Sequence, residues 1–186
     1  VDAGQVGFLE ATANHLLLAD GEVHNSARLR SRAGHLLADI ERAFPSLEHD
    51  FQLHMCGVLD CPLWFKLAVV HGFMQVHHTL YFMGSTIALG RMTVGVTQGN
   101  PLSALFFILV FNPLLVIIRR LLHEGEDVRA FADDVIVFLR HIQRLKVILP
   151  EFNKFAVASG CFINLLKSLW LIACPGHTIP KDWWRD

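Results

Sequence analysis

The chain has 186 residues, of which 53% are hydrophobic and 18% are charged, and 16 Lys and Arg against 17 Asp and Glu give a net charge of −1. This composition excludes a disordered chain or a collagen-like repeat, and it leaves a dense-cored globular domain, a membrane protein or a piece of something larger. A nucleic-acid binder that relied on bulk charge would be more basic, so any such contact has to be local. The four cysteines are too sparse for a disulfide scaffold, and their spacing favours buried free thiols over a zinc site.

The N-terminal part of the chain predicts helices around one short strand. A helix is expected at 11–23, followed by a polar connection at 25–32 that carries three arginines. Residues 35–40 are short and apolar, which predicts a buried strand that ends at Asp39. Pro45 and Ser46 predict the start of a helix that runs through His54, because proline is tolerated in a first helical turn.

The middle of the chain predicts a hairpin between two helices. Pro62 opens a helix to about Gln75, and residues 79–82 and 86–94 flank a Gly-Ser turn, which is a hairpin signal. Asn100 and Pro101 predict the start of a helix, with the asparagine as its cap. Residues 102–118 are almost all apolar and approach the length of a membrane span, but the interruption before Pro113 favours a bent, buried helix and no membrane.

The C-terminal part predicts a second hairpin, a helix and a last strand. Two β-branched runs, 128–131 and 135–139, are separated by Ala132, Asp133 and Asp134, which predicts a tight hairpin with two carboxylates at its tip. A helix at 149–159 and a strand at 169–173 follow. This order indicates an α+β fold, an antiparallel sheet with helices packed on one face.

Three carboxylates stand out because they sit at the ends of apolar strands. No lysine or arginine sits beside Asp39, Asp133 or Asp134 in the sequence, and an unpaired buried carboxylate is costly. A hard divalent cation would neutralise them, and if the strands are neighbours their tips could hold two ions for phosphoryl displacement. Ordinary turn chemistry is the alternative for the Asp-Asp pair.

Four segments, in order, resemble motifs of reverse transcriptases, most closely those of non-LTR retrotransposons. They are LADIERAFPS at 37–46, GVTQGNPLS at 95–103, FADD at 131–134 and SGCFINLLKS at 159–168. The resemblance covers about 5–168. It implies a polymerase palm with part of the fingers and an RNA-directed DNA polymerase that joins a deoxynucleotide to a primer 3′-hydroxyl.

The resemblance also implies residue roles. Asp39, Asp133 and Asp134 would be the catalytic carboxylates that bind Mg²⁺ or Mn²⁺, with the Ile40 carbonyl as a further ligand. The nucleotide would be contacted by Phe44, Gln98, Gly99 and Lys167. The Phe44 ring would crowd a 2′-hydroxyl and so favour deoxynucleotides, unless it is simply a core residue. Lys167 would lie near the phosphates, with an exposed structural lysine as the alternative.

Some features depart from the family pattern. The QVGF segment at 5–8 is not followed by the expected arginine, and Glu10 would repel a triphosphate. Arg28, Arg30 and Arg32 could meet a nucleic-acid backbone or could lie in a solvated loop.

The whole chain, 1–186, is expected to be a palm and partial-fingers fragment of a longer polyprotein that lacks the thumb and upstream fingers. Its expected partners are an RNA template, a DNA primer and dNTPs, and the expected compartment is intracellular, with the nucleus plausible. The alternative is an inactive fragment or decayed retroelement relic of the same fold.

Overall fold

The computed structural model describes residues 34–97 and 99–172. The predicted helix at 11–23, the QVGF segment at 5–8, Glu10, the three arginines of 25–32 and Gln98 lie outside these ranges, so their predictions stay predictions.

Four strands form the main sheet, in the order β4-β5-β1-β6, and every neighbouring pair is antiparallel. The strands are β1 (Gly34–Ala38), β4 (Asp127–Phe131), β5 (Asp134–Leu139) and β6 (Leu169–Ile172). The antiparallel sheet and the hairpin at 131–134 confirm the fold class predicted from the sequence. The other two strands, β2 (His77–Phe82) and β3 (Ser85–Arg91), form a separate, exposed hairpin.

Five helices complete the described part of the fold. They are α1 (Ala43–Ser46), α2 (His49–Val58), α3 (Leu63–Val69, continued by a π-helical turn Val70–Met74), α4 (Pro101–Leu121) and α5 (Leu145–Ser159), and a 3₁₀ turn at Ile142–Arg144 precedes α5. α4 packs against β4 and α5, so the sheet and these two helices enclose the core.

α4 is the central core helix. Its first turn is capped as predicted, because the Asn100 side chain accepts a hydrogen bond from the Leu102 N–H at 2.9 Å. The helix continues through Pro113 to its end, and eight of its side chains are at most 1% exposed: Phe106, Phe107, Ile108, Val110, Phe111, Leu114, Leu115 and Ile118. By length and composition the stretch Leu102–Leu121 could also cross a membrane, but a core helix passes the same test, and half of this one is buried.

Two helix predictions were wrong in their bounds. The single helix expected at 45–54 is two helices, because the backbone is extended at Leu47 and Glu48, and Leu47 is fully buried in the core. The helix expected from 149 begins four residues earlier and contains Pro150. Burial of Leu145 and Ile148 at 1% and 0% exposure outweighs the hydrogen bond that the proline cannot make.

The other boundaries follow the predictions closely. The β2–β3 turn falls one residue earlier than expected, and β3 ends at Arg91 rather than at 94. Cys56, Cys61 and Cys161 are free thiols, as predicted, although Cys61 is only partly buried.

Candidate active site

The register of the sheet brings three carboxylates to one end of its two middle strands. Ala38, the last residue of β1, pairs with Val135 of β5, so Asp39 follows β1 at the point where Asp134 begins β5. Phe131 pairs with Asp134 across the hairpin, and Ala132 makes the turn with a left-handed φ of 56°. Asp133 therefore lies at the tip, beside the end of β1.

This end of the sheet opens onto a cavity of about 400 Å³. Ten described residues line it: Asp39, Ile40, Glu41, Arg42, Ala43, Phe44, Pro45, Asp133, Asn164 and Lys167. Five of the predicted site residues are therefore together in one cavity. Asp134 is exposed just outside its lining, and Gly99 is exposed elsewhere.

The surroundings of Asp133 and Asp134 disfavour the ionised forms of these two carboxyl groups. Burial raises the pKa of Asp133 above its ordinary value, and the charges of Asp134 and Asp39 raise it further, while a backbone hydrogen bond opposes the rise. The pKa of Asp134 is also raised, first by burial and then by the charge of Asp39. The negative charge of Asp39 therefore acts on both Asp133 and Asp134, and a nearby cation would favour the ionised forms of these two groups.

The donor chemistry of this cluster fits a hard divalent cation. In the described ranges, no Lys or Arg lies within ion-pair distance of Asp39, Asp133 or Asp134. Nor do any three His, Cys, Asp or Glu side chains there form a ready-made metal-binding group. Mg²⁺ is usually held by only one or two carboxylates, with waters and substrate phosphates supplying the other oxygens. An incomplete set of carboxylate oxygens at the mouth of a cavity is compatible with that mode of binding.

The segment after α5 fixes the backbone of Asp39. The Ser168 hydroxyl accepts a hydrogen bond from the Asp39 N–H at 3.1 Å, and the Asp39 carbonyl accepts one from the Asn164 N–H at 2.8 Å. Two residues further on, the Glu41 N–H donates to the Phe162 carbonyl at 2.7 Å. The sequence motif at 159–168 pointed to this segment, but the roles of Asn164 and Ser168 as supports of Asp39 were missed.

A local turn aims Lys167 at the same cavity. The side-chain oxygen of Asn164 accepts hydrogen bonds from the N–H groups of Leu166 and Lys167 at 3.2 and 3.3 Å. The backbone carbonyl of Asn164 accepts hydrogen bonds from the N–H groups of Lys167 and Ser168. This is the turn chemistry typical of asparagine. The turn places Lys167 in the lining of the cavity, where it is the one lysine among the described residues.

Phe44 contacts both the core and the cavity. Its ring stacks on Phe107 of α4, with the ring centroids 4.8 Å apart and the planes at 26°, and its side chain is half-buried at the cavity wall. Both interpretations from the sequence, a core aromatic and a wall of the nucleotide site, are compatible with this position.

Gly99 adopts a left-handed φ of 86°, and a Cβ added there would meet nothing within 4 Å. The open space leaves room for a close approach by a ligand.

Comparison with solved structures defines the class of fold. Apo telomerase from Candida tropicalis aligns over 94% of this chain with a TM-score of 0.72 and 12% identity, and the match spans 34% of the telomerase chain. Telomerase from Candida albicans, in complex with a fragment of telomeric RNA, gives a TM-score of 0.60 at 12% identity over 94% of this chain and 32% of that one. At these identities the likeness establishes the fold, that of a telomerase-like polymerase palm and partial fingers.

Sequence comparison then gives the family. Residues 2–179 match the family described as reverse transcriptase (RNA-dependent DNA polymerase), and the chain belongs to it. The chain is also similar to a retrovirus-related Pol polyprotein from the type-1 retrotransposable element R2 of Bradysia coprophila, with 27% identity over 154 residues. That match covers 78% of this chain and 17% of the polyprotein. These findings confirm the predicted resemblance to non-LTR reverse transcriptases.

Proposed function

We propose that this chain supplies the catalytic palm of a retroelement RNA-directed DNA polymerase, which extends a DNA primer along an RNA template by two-metal nucleotidyl transfer. The observation that carries the proposal is the register of β1 and β5, since it puts Asp39 beside the Asp133–Asp134 turn at the mouth of one cavity. Carboxylates that repel one another at a substrate-sized cavity are typical of a catalytic site.

Asp39, Asp133 and Asp134 would hold Mg²⁺ or Mn²⁺, with the Ile40 carbonyl as a further ligand. Bound ions would activate the primer 3′-hydroxyl and neutralise the charge of the triphosphate. The hydrogen bonds from Asn164 and to Ser168 hold the Asp39 backbone in place, so the point from which the Asp39 side chain extends is fixed.

The remaining cavity residues would orient the nucleotide. Lys167 would contact the phosphates and protonate the departing pyrophosphate from its Nζ. The Phe44 ring, held by its stack on Phe107, would exclude a 2′-hydroxyl from the sugar site. Gln98 and Gly99 would approach the nucleotide and template, where the missing side chain of Gly99 allows close backbone contact.

We propose that the chain works as part of a longer polyprotein. It spans 17% of its R2 relative and about a third of the telomerase chains, so the upstream fingers, the thumb and other domains would come from the rest of the polyprotein. An intracellular setting, with the nucleus as the plausible compartment, follows from the same proposal.

The second candidate is a catalytically inactive domain with the same fold. The observation that favours it is the lack, within 34–97 and 99–172, of three side chains close enough to bind one metal ion. The two candidates differ in whether primer and nucleotide complete the site.

Primer extension on an RNA template distinguishes them. The chain, alone and within its full open reading frame, is assayed with Mg²⁺, with Mn²⁺ and with a chelator. Extension that needs a divalent ion and is lost in Asp133→Asn supports the polymerase, and Asp50→Asn on an exposed part of α2 is the matched control. Extension that persists in Asp133→Asn contradicts the assigned site, and no extension by the full open reading frame favours the inactive domain.

A further inference from the structure

We propose that Gln52 is a positioning residue of this site, which fixes the Gly95–Val96 corner against helix α1. The role of this corner in the nucleotide site rests on the proposed function. The hydrogen bond between Gln52 and the corner does not depend on it.

Gln52 lies on α2 and is completely buried. Its side-chain Nε2 donates to the Leu47 carbonyl at 2.9 Å and to the Gly95 carbonyl at 3.3 Å. His49, one turn earlier on α2, places its Nε2 2.9 Å from the same Gly95 carbonyl. Two side chains of one helix thus converge on a single backbone group of a segment more than forty residues away.

The corner they hold sits directly on the backbone of α1. The Gly95 N–H donates to the Leu47 carbonyl at 2.8 Å, and the Val96 N–H donates to the Phe44 carbonyl at 2.9 Å. Gly95 has a φ of 91°, and a Cβ there would lie 2.5 Å from the Pro45 carbonyl oxygen. Contact this close leaves little freedom for the corner to shift while its hydrogen bonds persist.

Packing alone does not explain an amide at position 52. The Oε1 atom of Gln52 is buried and has no hydrogen-bond partner among the described residues. Such an orphaned acceptor costs stability that an apolar side chain of similar shape, such as methionine, would not lose. The amide is therefore best explained by what its Nε2 holds.

These hydrogen bonds join the Phe44 wall of the cavity to the segment that leads to Gly99, which the proposed function places near the nucleotide. Phe44 accepts the hydrogen bond from Val96 and also lines the cavity, and the chain runs from Val96 through Thr97 toward Gly99 and the start of α4. A looser corner would let the distance between Phe44 and Gly99 vary. Nucleotide binding and sugar selection would then suffer more than the chemical step.

The test compares Gln52→Met with Gln143→Met, a matched change at an exposed position of the 3₁₀ turn. The first readout is amide hydrogen exchange at Gly95 and Val96 in the full chain, which does not depend on catalysis. Loss of the Gln52 hydrogen bonds is expected to speed exchange at these two amides by about fivefold to tenfold, with little change in melting temperature. Unchanged exchange at both amides would overturn the proposal, and so would faster exchange spread evenly over the core.

The second readout is steady-state primer extension by the longest active form. In Gln52→Met the KM for dNTP is expected to rise by about fivefold with a smaller effect on kcat, and the preference for dNTP over rNTP is expected to weaken. A fivefold fall in kcat at unchanged KM would contradict the positioning role. If the wild-type protein extends no primer, the proposed function fails, while the exchange result still decides whether Gln52 holds the corner.

His49→Ala is the second variant, because His49 is only partly buried and its replacement preserves the core. It removes one of the two donors to Gly95, so faster exchange at Gly95 is expected, with a smaller effect than in Gln52→Met. No effect of either variant would assign both contacts to passive packing.

Discussion

Gly95→Ala gives a quantitative test of the contact between the Gly95–Val96 corner and α1. The new Cβ would lie 2.5, 2.8 and 2.9 Å from the oxygen, carbonyl carbon and Cα of Pro45, all of them backbone atoms. A backbone neighbour cannot move aside as a flexible side chain can, so the corner has to lift off α1. It then loses the hydrogen bonds that Leu47 and Phe44 accept.

The magnitude follows from these parts. A left-handed φ costs an alanine about 1–2 kcal/mol, and each lost hydrogen bond costs about 1 kcal/mol more, for a total of about 3–4 kcal/mol. Gly90→Ala is the matched control, because Gly90 has nearly the same φ of 92° but open space around the new Cβ. It is expected to cost only the backbone part, about 1–2 kcal/mol.

Urea denaturation of both variants and the wild-type chain measures the difference. The reasoning predicts that Gly95→Ala is about 2 kcal/mol more destabilising than Gly90→Ala. Equal losses for the two alanines would refute the close seating of the corner on α1.

Three further predictions concern the nucleotide site, a partly buried ion pair and a buried histidine. Phe44→Val should raise rNTP incorporation relative to dNTP by about tenfold or more in primer extension, because the ring that crowds a 2′-hydroxyl is gone; an unchanged ratio would return Phe44 to the core alone. Arg144→Met should destabilise the chain by about 1–3 kcal/mol in denaturant titration, because it removes a charged partner of the Glu126 side chain, which is 1% exposed and keeps only the N–H groups of His123 and Arg140; no measurable loss would show that the ion pair contributes nothing to stability. Burial lowers the pKa of His35 below its ordinary 6.5, so the unfolded chain binds this proton first as the pH falls, and stability should decline below about pH 6.5 by at most about 1.4 kcal/mol per pH unit. That part of the pH dependence should be absent from His35→Phe, and equal slopes for the two proteins would contradict the assignment.

Sequence patterns predicted those parts of the fold that depend on near neighbours. The strand that leads to Asp39, the turn at Asp133 and the cap at Asn100 each arise from a few adjacent residues, and all three are present, although the strand ends at Ala38, one residue before Asp39. The break after Ser46 was missed because it depends on the burial of Leu47 against distant parts of the chain, which overrides the helical tendency of residues 45–54.

The hydrogen bonds that hold the site in place could not be predicted from the sequence for the same reason. Nothing near Gln52 in the sequence indicates that its amide bonds a carbonyl at position 95, and nothing near Ser168 indicates a bond to Asp39. The order of the motifs indicated that these segments contribute to one site. It did not show which side chains join them, because the pairing is decided by the tertiary fold.

The structure also separates the motif residues that the fold requires from those that it does not. Gly95 and Gly160 both have left-handed φ, and a Cβ at either would collide with the carbonyl oxygen of Pro45 or Ser46, at 2.5 and 2.2 Å. The fold needs these glycines whether or not the protein is an enzyme, so their presence says little about catalysis. Asp133 is the opposite case, because its burial and its neighbouring carboxylates make the ionised form unfavourable, and no described cation pairs with it. A partly buried carboxylate beside two others, with no cation paired to it in the described part of the chain, is the stronger indication of function, and the proposal of a polymerase rests on the carboxylates and not on the number of matching motif letters.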